Sequence, residues 1–221
     1  MAVFLSPENI VKLCLYRWAC LLLLFSVAGC TTPELTESPA AEFAAEELYI
    51  VRNSGFEEAY VARDANLPGY AEIEFARFSS AAVQVTQTTV SGTTRSDWQM
   101  TAEKEQRLDA IWGQATARAF ADYPVAGEGK LRIAAELTKV EPRRAASTAT
   151  TASGGMIAGT GDVVEVSVEI HIFDASSGQL LSVVRDKRQI ASLQWGRAAG
   201  ADLVNLFNSW ASLLHTRVTG R

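Results

Sequence analysis

Residues 162–190 read DVVEVSVEIHIFDASSGQLLSVVRDKRQI. Val164, Val166, Val168, Ile170 and Ile172 take alternate positions, and Val163, Glu165, Ser167, Glu169 and His171 fall between them. Successive side chains of a strand point to opposite faces, so this alternation predicts a half-buried strand over 162–173. Asp174-Ala175-Ser176-Ser177-Gly178 has turn chemistry, and 180–190 reads as the returning strand of a hairpin.

Upstream, Leu131, Ile133, Ala135 and Leu137 alternate with Arg132, Ala134, Glu136 and Thr138, predicting another half-buried strand closed by Pro142-Arg143-Arg144. Residues 145–161 are Ala, Ser, Thr and Gly with almost nothing to bury, and read as a long mobile loop. A helix is expected over 97–122. Leu108, Ile111, Trp112, Ala115, Ala119 and Phe120 share one face, and Glu103, Lys104, Glu105 and Arg107 lie mostly on the other. Its start has two readings, a Ser96/Gln99 capping box or Thr101 with Glu103. Residues 70–89 read as the first long strand, with Ser79-Ser80 a bulge or break. A final helix over 197–217 carries Leu203, Leu206, Phe207, Trp210, Leu213, Leu214 and Val218.

The order is β-α-β-β-β-α. A β-α-β unit joins parallel strands by a right-handed crossover, and each amphipathic helix needs its apolar stripe covered. The expected fold is therefore a two-layer sandwich of α+β or α/β class, a mixed sheet with both helices on one face. The opposite face, carrying Glu165, Glu169 and His171, is expected to be partly wet.

The amino-terminal part is different. Lys12 and Arg17 precede the apolar block Leu21-Leu22-Leu23-Leu24-Phe25, and small residues follow. This is the layout of a secretory signal peptide over 1–29. The uncharged run 18–29 falls short of the ~20 residues that a spanning helix needs. Val27-Ala28-Gly29-Cys30 resembles the bacterial lipobox. That resemblance implies a diacylglycerol thioether on Cys30 and cleavage before it. Thr31, where an Asp usually marks inner-membrane retention, is compatible with the outer membrane. Residues 30–47 then read as a flexible acidic tether and 48–69 as an extended arm with one or two short strands. The domain proper spans 70–221.

Composition excludes several classes. With 48% hydrophobic residues and 20% charged, the chain is not disordered. A net charge of -5, becoming -6 when Glu8, Lys12 and Arg17 leave with the leader, argues against a nucleic-acid partner. Cys14 and Cys20 lie in the leader and Cys30 takes lipid, so the mature chain has no disulfide and no Cys/His metal site.

The segments Val164-Glu165-Val166, Ile172-Phe173-Asp174-Ala175-Ser176-Ser177-Gly178 and Leu181-Ser182-Val183-Val184-Arg185-Asp186-Lys187-Arg188 resemble a bacterial lipoprotein family catalogued as domain of unknown function 3313. The strand from Leu131 to Val140 and the Trp-containing last helix are also similar. The resemblance covers residues 70–218 and implies an exported, lipid-anchored domain without assigned catalysis.

Chemistry-bearing residues are few. His171 with Glu169 has the makings of a general base, or is a solvent-facing strand pair. His215 suits the carboxyl end of a helix. Asp174 with Ser176 and Ser177 caps a turn, or holds a phosphate or metal. Arg185-Asp186-Lys187-Arg188 is a ligand-facing charge cluster, or one or two of its residues pair with Glu165 or Glu169 across the hairpin, at about a few tenths of a kcal/mol each. Trp112 and Trp210 read as core, while Trp98 and Trp195 flank helix starts. There is no phosphate loop, dinucleotide fingerprint or nucleophile elbow. The expectation is no catalytic, cofactor or metal residue and one modified residue, Cys30. The expected role is a non-enzymatic interaction domain at the periplasmic side of the envelope. Its partners would be the membrane through the lipid and a protein touching loop 145–161, the outer sheet face at 163–171 or the tether. The alternatives are a binder of a small hydrophobic or glycan ligand between sheet and helices, and an uncharacterised hydrolase.

Overall fold

The computed structural model describes residues 33–85, 99–123, 127–144 and 162–220. The leader, Cys30, Ser96, Trp98 and loop 145–161 lie outside them. The strands are β1 (Glu34–Pro39), β2 (Leu48–Arg52), β3 (Glu58–Ala62), β4 (Glu72–Phe75), β5 (Gln84–Val85), β6 (Lys130–Arg144), β7 (Asp162–Asp174) and β8 (Leu180–Ala191). The helices are α1 (Ala102–Ala119), α2 (Ser192–Arg197) and α3 (Ala201–Thr219). One mixed sheet runs β1-β2-β3-β8-β7-β6-β4, with β5 also paired to β6.

The hairpin forms as its alternation requires. Val164, Val166, Val168, Ile170 and Ile172 are all buried, and β7 pairs antiparallel with both β6 and β8. In the turn, Gly178 takes φ 74°, a left-handed conformation open to glycine without strain. The inner face of the sheet meets α1 and α3. Between the layers Phe78, Trp112, Phe207 and Trp210 pack edge to face or tilted, with centroids 5.1–6.3 Å apart. Full burial of such side chains stabilises by roughly 1.5–3 kcal/mol each. The two-layer α+β class is as expected, with both long helices on one face.

Three boundaries differ from expectation. The first strand region is divided: β4 pairs parallel with β6 at Ile73↔Leu131, Ser79 bridges to Glu136, and β5 rejoins β6 at Val85↔Val140. The breaks fall on either side of Ser79, at 76–78 and 80–83, so Ser79 itself is a point of pairing. Helix α1 starts later, because Thr101 caps it by accepting from the Lys104 amide at 3.2 Å. Its stripe includes Lys104, which is buried with its ammonium 5.7 Å from the Trp195 ring centre. The last helix is two helices. Trp195 is fully buried, which draws 192–197 into α2. The chain then reverses through Ala198 in the left-handed region (φ 46°). Gly200 has no side chain to cap α3, so Gln194 of α2 accepts from the Asp202 amide at 2.8 Å and donates to its carboxylate at 2.7 Å.

The largest correction concerns 33–69. Residues 48–69 hold two short strands as expected, but they are no separate arm: β2 and β3 join the sheet through Glu58↔Arg185 to Val61↔Ser182. The described part of the acidic segment, from Pro33, is no flexible tether either. β1 pairs with β2, the Ala40 amide donates to the Leu48 carbonyl at 2.8 Å, and a 3-10 turn (Ala41–Phe43) sets Phe43 against Tyr60 with centroids 4.9 Å apart. Ala40, Leu48, Tyr60, Ala62 and Val183 form a second small core on the outer face. The segment has too few apolar residues to fold alone. It folds because that face of β3 and β8 offers them a complementary surface.

Candidate outer-face charge site

Alternation along β8 divides the charge cluster. Arg185 and Lys187 face outward, whereas Asp186 and Arg188 lie on the helix side. On the outer face, the Arg185 guanidinium donates from Nε to Glu169 Oε2 at 2.5 Å. From Nη1 it donates to Glu42 at 2.8 Å and to Glu58 at 3.2 Å. Its Cζ sits 5.3 Å from the Phe43 ring centre and 5.6 Å from that of Tyr60. The Tyr60 hydroxyl donates to Glu58 at 3.0 Å, and burial with that neighbour pushes it well above its ordinary pKa. One arginine thus joins three carboxylates brought from β3, β7 and the 3-10 turn. Lys187 pairs with Glu57, and Lys139 with Glu141 at 2.8 Å. A groove of about 480 Å³ runs here, lined by Glu57, Glu58, Glu165, Glu169, Lys139 and Lys187.

His171 Nε2 lies 2.6 Å from Glu169 Oε1. The hydrogen bond from His171, and then Arg185, hold the Glu169 carboxyl down at about 2. The pair expected from the sequence is therefore present, but both Glu169 oxygens are taken. Among the described residues, no hydroxyl bonds to His171. The expected cross-hairpin pairing is made by Arg185 with Glu169.

The remaining candidates are structural. Asp174 Oδ1 accepts from the Ser176 and Ser177 amides at 2.9 and 2.8 Å and from both hydroxyls. Its Oδ2 accepts from Tyr70 at 2.9 Å. These bonds, led by that of Ser176, hold the carboxyl far below its usual range, and Tyr70 is pushed up to about 12 by burial and then by Asp174. His215 lies 3.7 Å from Asp122 and stacks edge-on against Phe120. Trp112, Trp195 and Trp210 are fully buried. The layer in which a ligand between sheet and helices would sit is occupied by their rings and those of Phe78 and Phe207. Among the described residues, no cluster of His, Cys, Asp and Glu is arranged to hold a metal ion.

Sequence reading missed two features. Glu42 belongs to the Arg185 cluster although 143 residues separate them. Asp186 is buried, with Oδ2 accepting from the Trp210 indole at 2.8 Å and from Arg188 Nε at 2.7 Å. A signal for the second was available, since the alternation of β8 puts position 186 on the buried side.

No protein-family model matches this chain, and no curated protein matches it. The expected likeness to the domain of unknown function 3313 family is not confirmed by a family match. Among solved structures, the chain is similar to a PelC dodecamer from Paraburkholderia phytofirmans (12% identity, 82% of this chain and 97% of that one, TM-score 0.35). It is also similar to protein XCC0632 from Xanthomonas campestris, of family DUF330 (13% identity, 71% and 90%, TM-score 0.35).

Proposed function

We propose that this protein is a lipid-anchored envelope lipoprotein facing the periplasm, and that it acts without catalysis by docking a protein partner on its outer sheet face. The observation that carries the anchor is the coincidence of a basic flank, an apolar block and Val27-Ala28-Gly29-Cys30. Only Thr31 and Thr32 separate Cys30 from Pro33, about 10 Å at full extension, so lipid on Cys30 would hold the domain close to the bilayer. Two or three acyl chains give firm residence where one does not. Thr31 is compatible with the outer membrane.

The outer face supports the docking role. Around its groove Glu42, Glu57, Glu58, Glu165 and Glu169 outnumber Lys139, Arg185 and Lys187, five to three. A basic segment of a partner complements such a face.

Fractionation of cells carrying Cys30→Ala tests the anchor: the protein is expected to leave the membrane fraction, and retention there overturns lipidation. A photo-crosslinking residue at Ser167, in the groove, tests the face. A discrete adduct is expected, weakened by Glu165→Lys. Loss of adducts at Ser167 together with adducts on the helix side would overturn the choice of face.

A further inference from the structure

A second groove lies across the sheet from that site, where the amino-terminal strand meets the end of the last helix. It has a volume of about 220 Å³, and its walls are Pro33, Leu35, Val51, Val61, Leu67 and Pro68. The single charged group in this lining is Arg217, in the last turn of α3. Its Nε is buried without a hydrogen-bond partner, and no carboxylate among the described residues pairs with the guanidinium. Burial alone pushes its pKa down. The last turn of a helix suits a cation, but the dipole does not satisfy a buried N–H. Only Nε is buried, so the two Nη groups stay open to an anion, and a guanidinium partly desolvated among apolar walls gains from one.

We propose that this groove binds the headgroup of an anionic phospholipid, the phosphate on Arg217 and the upper acyl chains along Leu35, Val51 and Leu67. The forked guanidinium matches a phosphate through two parallel N–H···O bonds, and apolar walls suit the adjoining chains. Exposed Leu35, at 45%, continues the apolar surface outward from the rim. The membrane as the source of this lipid rests on the anchoring reading: Pro33 lines the groove and is three residues from Cys30. Binding itself rests on Arg217 and the walls.

The test uses the purified full chain in uncharged detergent. It is titrated with dihexanoyl-phosphatidylglycerol below its micelle concentration, with dihexanoylglycerol, and with inorganic phosphate, following thermal unfolding and equilibrium binding. Saturable binding and a raised Tm are expected for the phospholipid alone. Arg217→Gln should weaken binding roughly ten- to a hundredfold, the loss of charge-assisted hydrogen bonds, with Arg217→Lys intermediate. Leu35→Glu, a change at an exposed position, should block the groove with a fixed carboxylate and abolish lipid binding. Absence of binding, equal binding by Arg217→Gln and Leu35→Glu, or an equal response to phosphate or to dihexanoylglycerol would each overturn the proposal. Membrane retention of Cys30→Ala would overturn the anchor while leaving the titration to judge the groove.

Discussion

Asp186 offers the sharpest test of the packing. Its carboxylate is buried between β8 and α3, and one oxygen accepts from both the Trp210 indole and Arg188. Asp186→Ala strands the indole N–H of a fully buried tryptophan, a desolvation loss of about 1–3 kcal/mol. It also removes the charge-assisted bond from Arg188. That bond is worth less than a buried one, because the Arg188 side chain is 45% exposed. Together the loss is about 3 kcal/mol, or roughly 6–12 °C in Tm for a domain of this size. Asp186→Asn keeps an acceptor and should cost less than half as much.

Urea unfolding followed by far-ultraviolet circular dichroism measures this, with a cycle of Asp186→Ala, Trp210→Phe and the double variant. Because Trp210→Phe removes the donor, the double variant should be less destabilised than the sum of the singles by at least ~1 kcal/mol. Trp112 is the internal control. Its indole N–H is buried with no partner, so Trp112→Phe should not couple to Asp186. A loss below ~1 kcal/mol for Asp186→Ala, or strict additivity with Trp210→Phe, would refute the argument.

Glu169 has a folded pKa of about 2 against an ordinary 4.5, first through His171 and then Arg185. Its depressed pKa contributes stability that is complete above pH 4.5 and fades as pH falls towards 2. The stability difference between wild type and Glu169→Gln should therefore shrink between pH 6 and pH 3 in urea titrations; a constant difference would contradict the pairing. Thr101→Ala should cost ~1 kcal/mol by removing the cap of α1, read from the urea midpoint with an unchanged slope. Hydrogen exchange should find the Ala40 amide protected, as its bond to Leu48 requires, and Phe43→Ala should release it. Rapid exchange of that amide in the wild type would restore the tether.

The legible part of the structure was the part with a period. Val164 to Ile172 and Leu131 to Leu137 alternate because one face is buried. Leu108, Trp112 and Ala115 recur at helical spacing for the same reason. Position 104 misled because a lysine on a helix reads as solvated, and its burial depends on Trp195, ninety-one residues away. Residues 34–47 misled because five carboxylates among few apolar groups look like a linker until the outer face of β3 and β8 is in place.

The local pattern of the sequence by itself determined the hairpin, the two long helices and their common face, and it holds the leader and Cys30 motif on which the anchor proposal rests. Each depends on neighbours within a few residues. Only the tertiary structure decided that β1 to β3 extend the sheet, that Arg185 joins Glu42, Glu58 and Glu169, and that Asp186 meets Trp210. It also decided that Arg217 stands unpaired in an apolar groove. Strand pairing is made by backbone groups that are alike in every residue, so the pattern shows which face is buried without naming the neighbouring strand. A charged side chain likewise carries no mark of its partner, which the fold supplies, for Arg185 and Glu42 from 143 residues away.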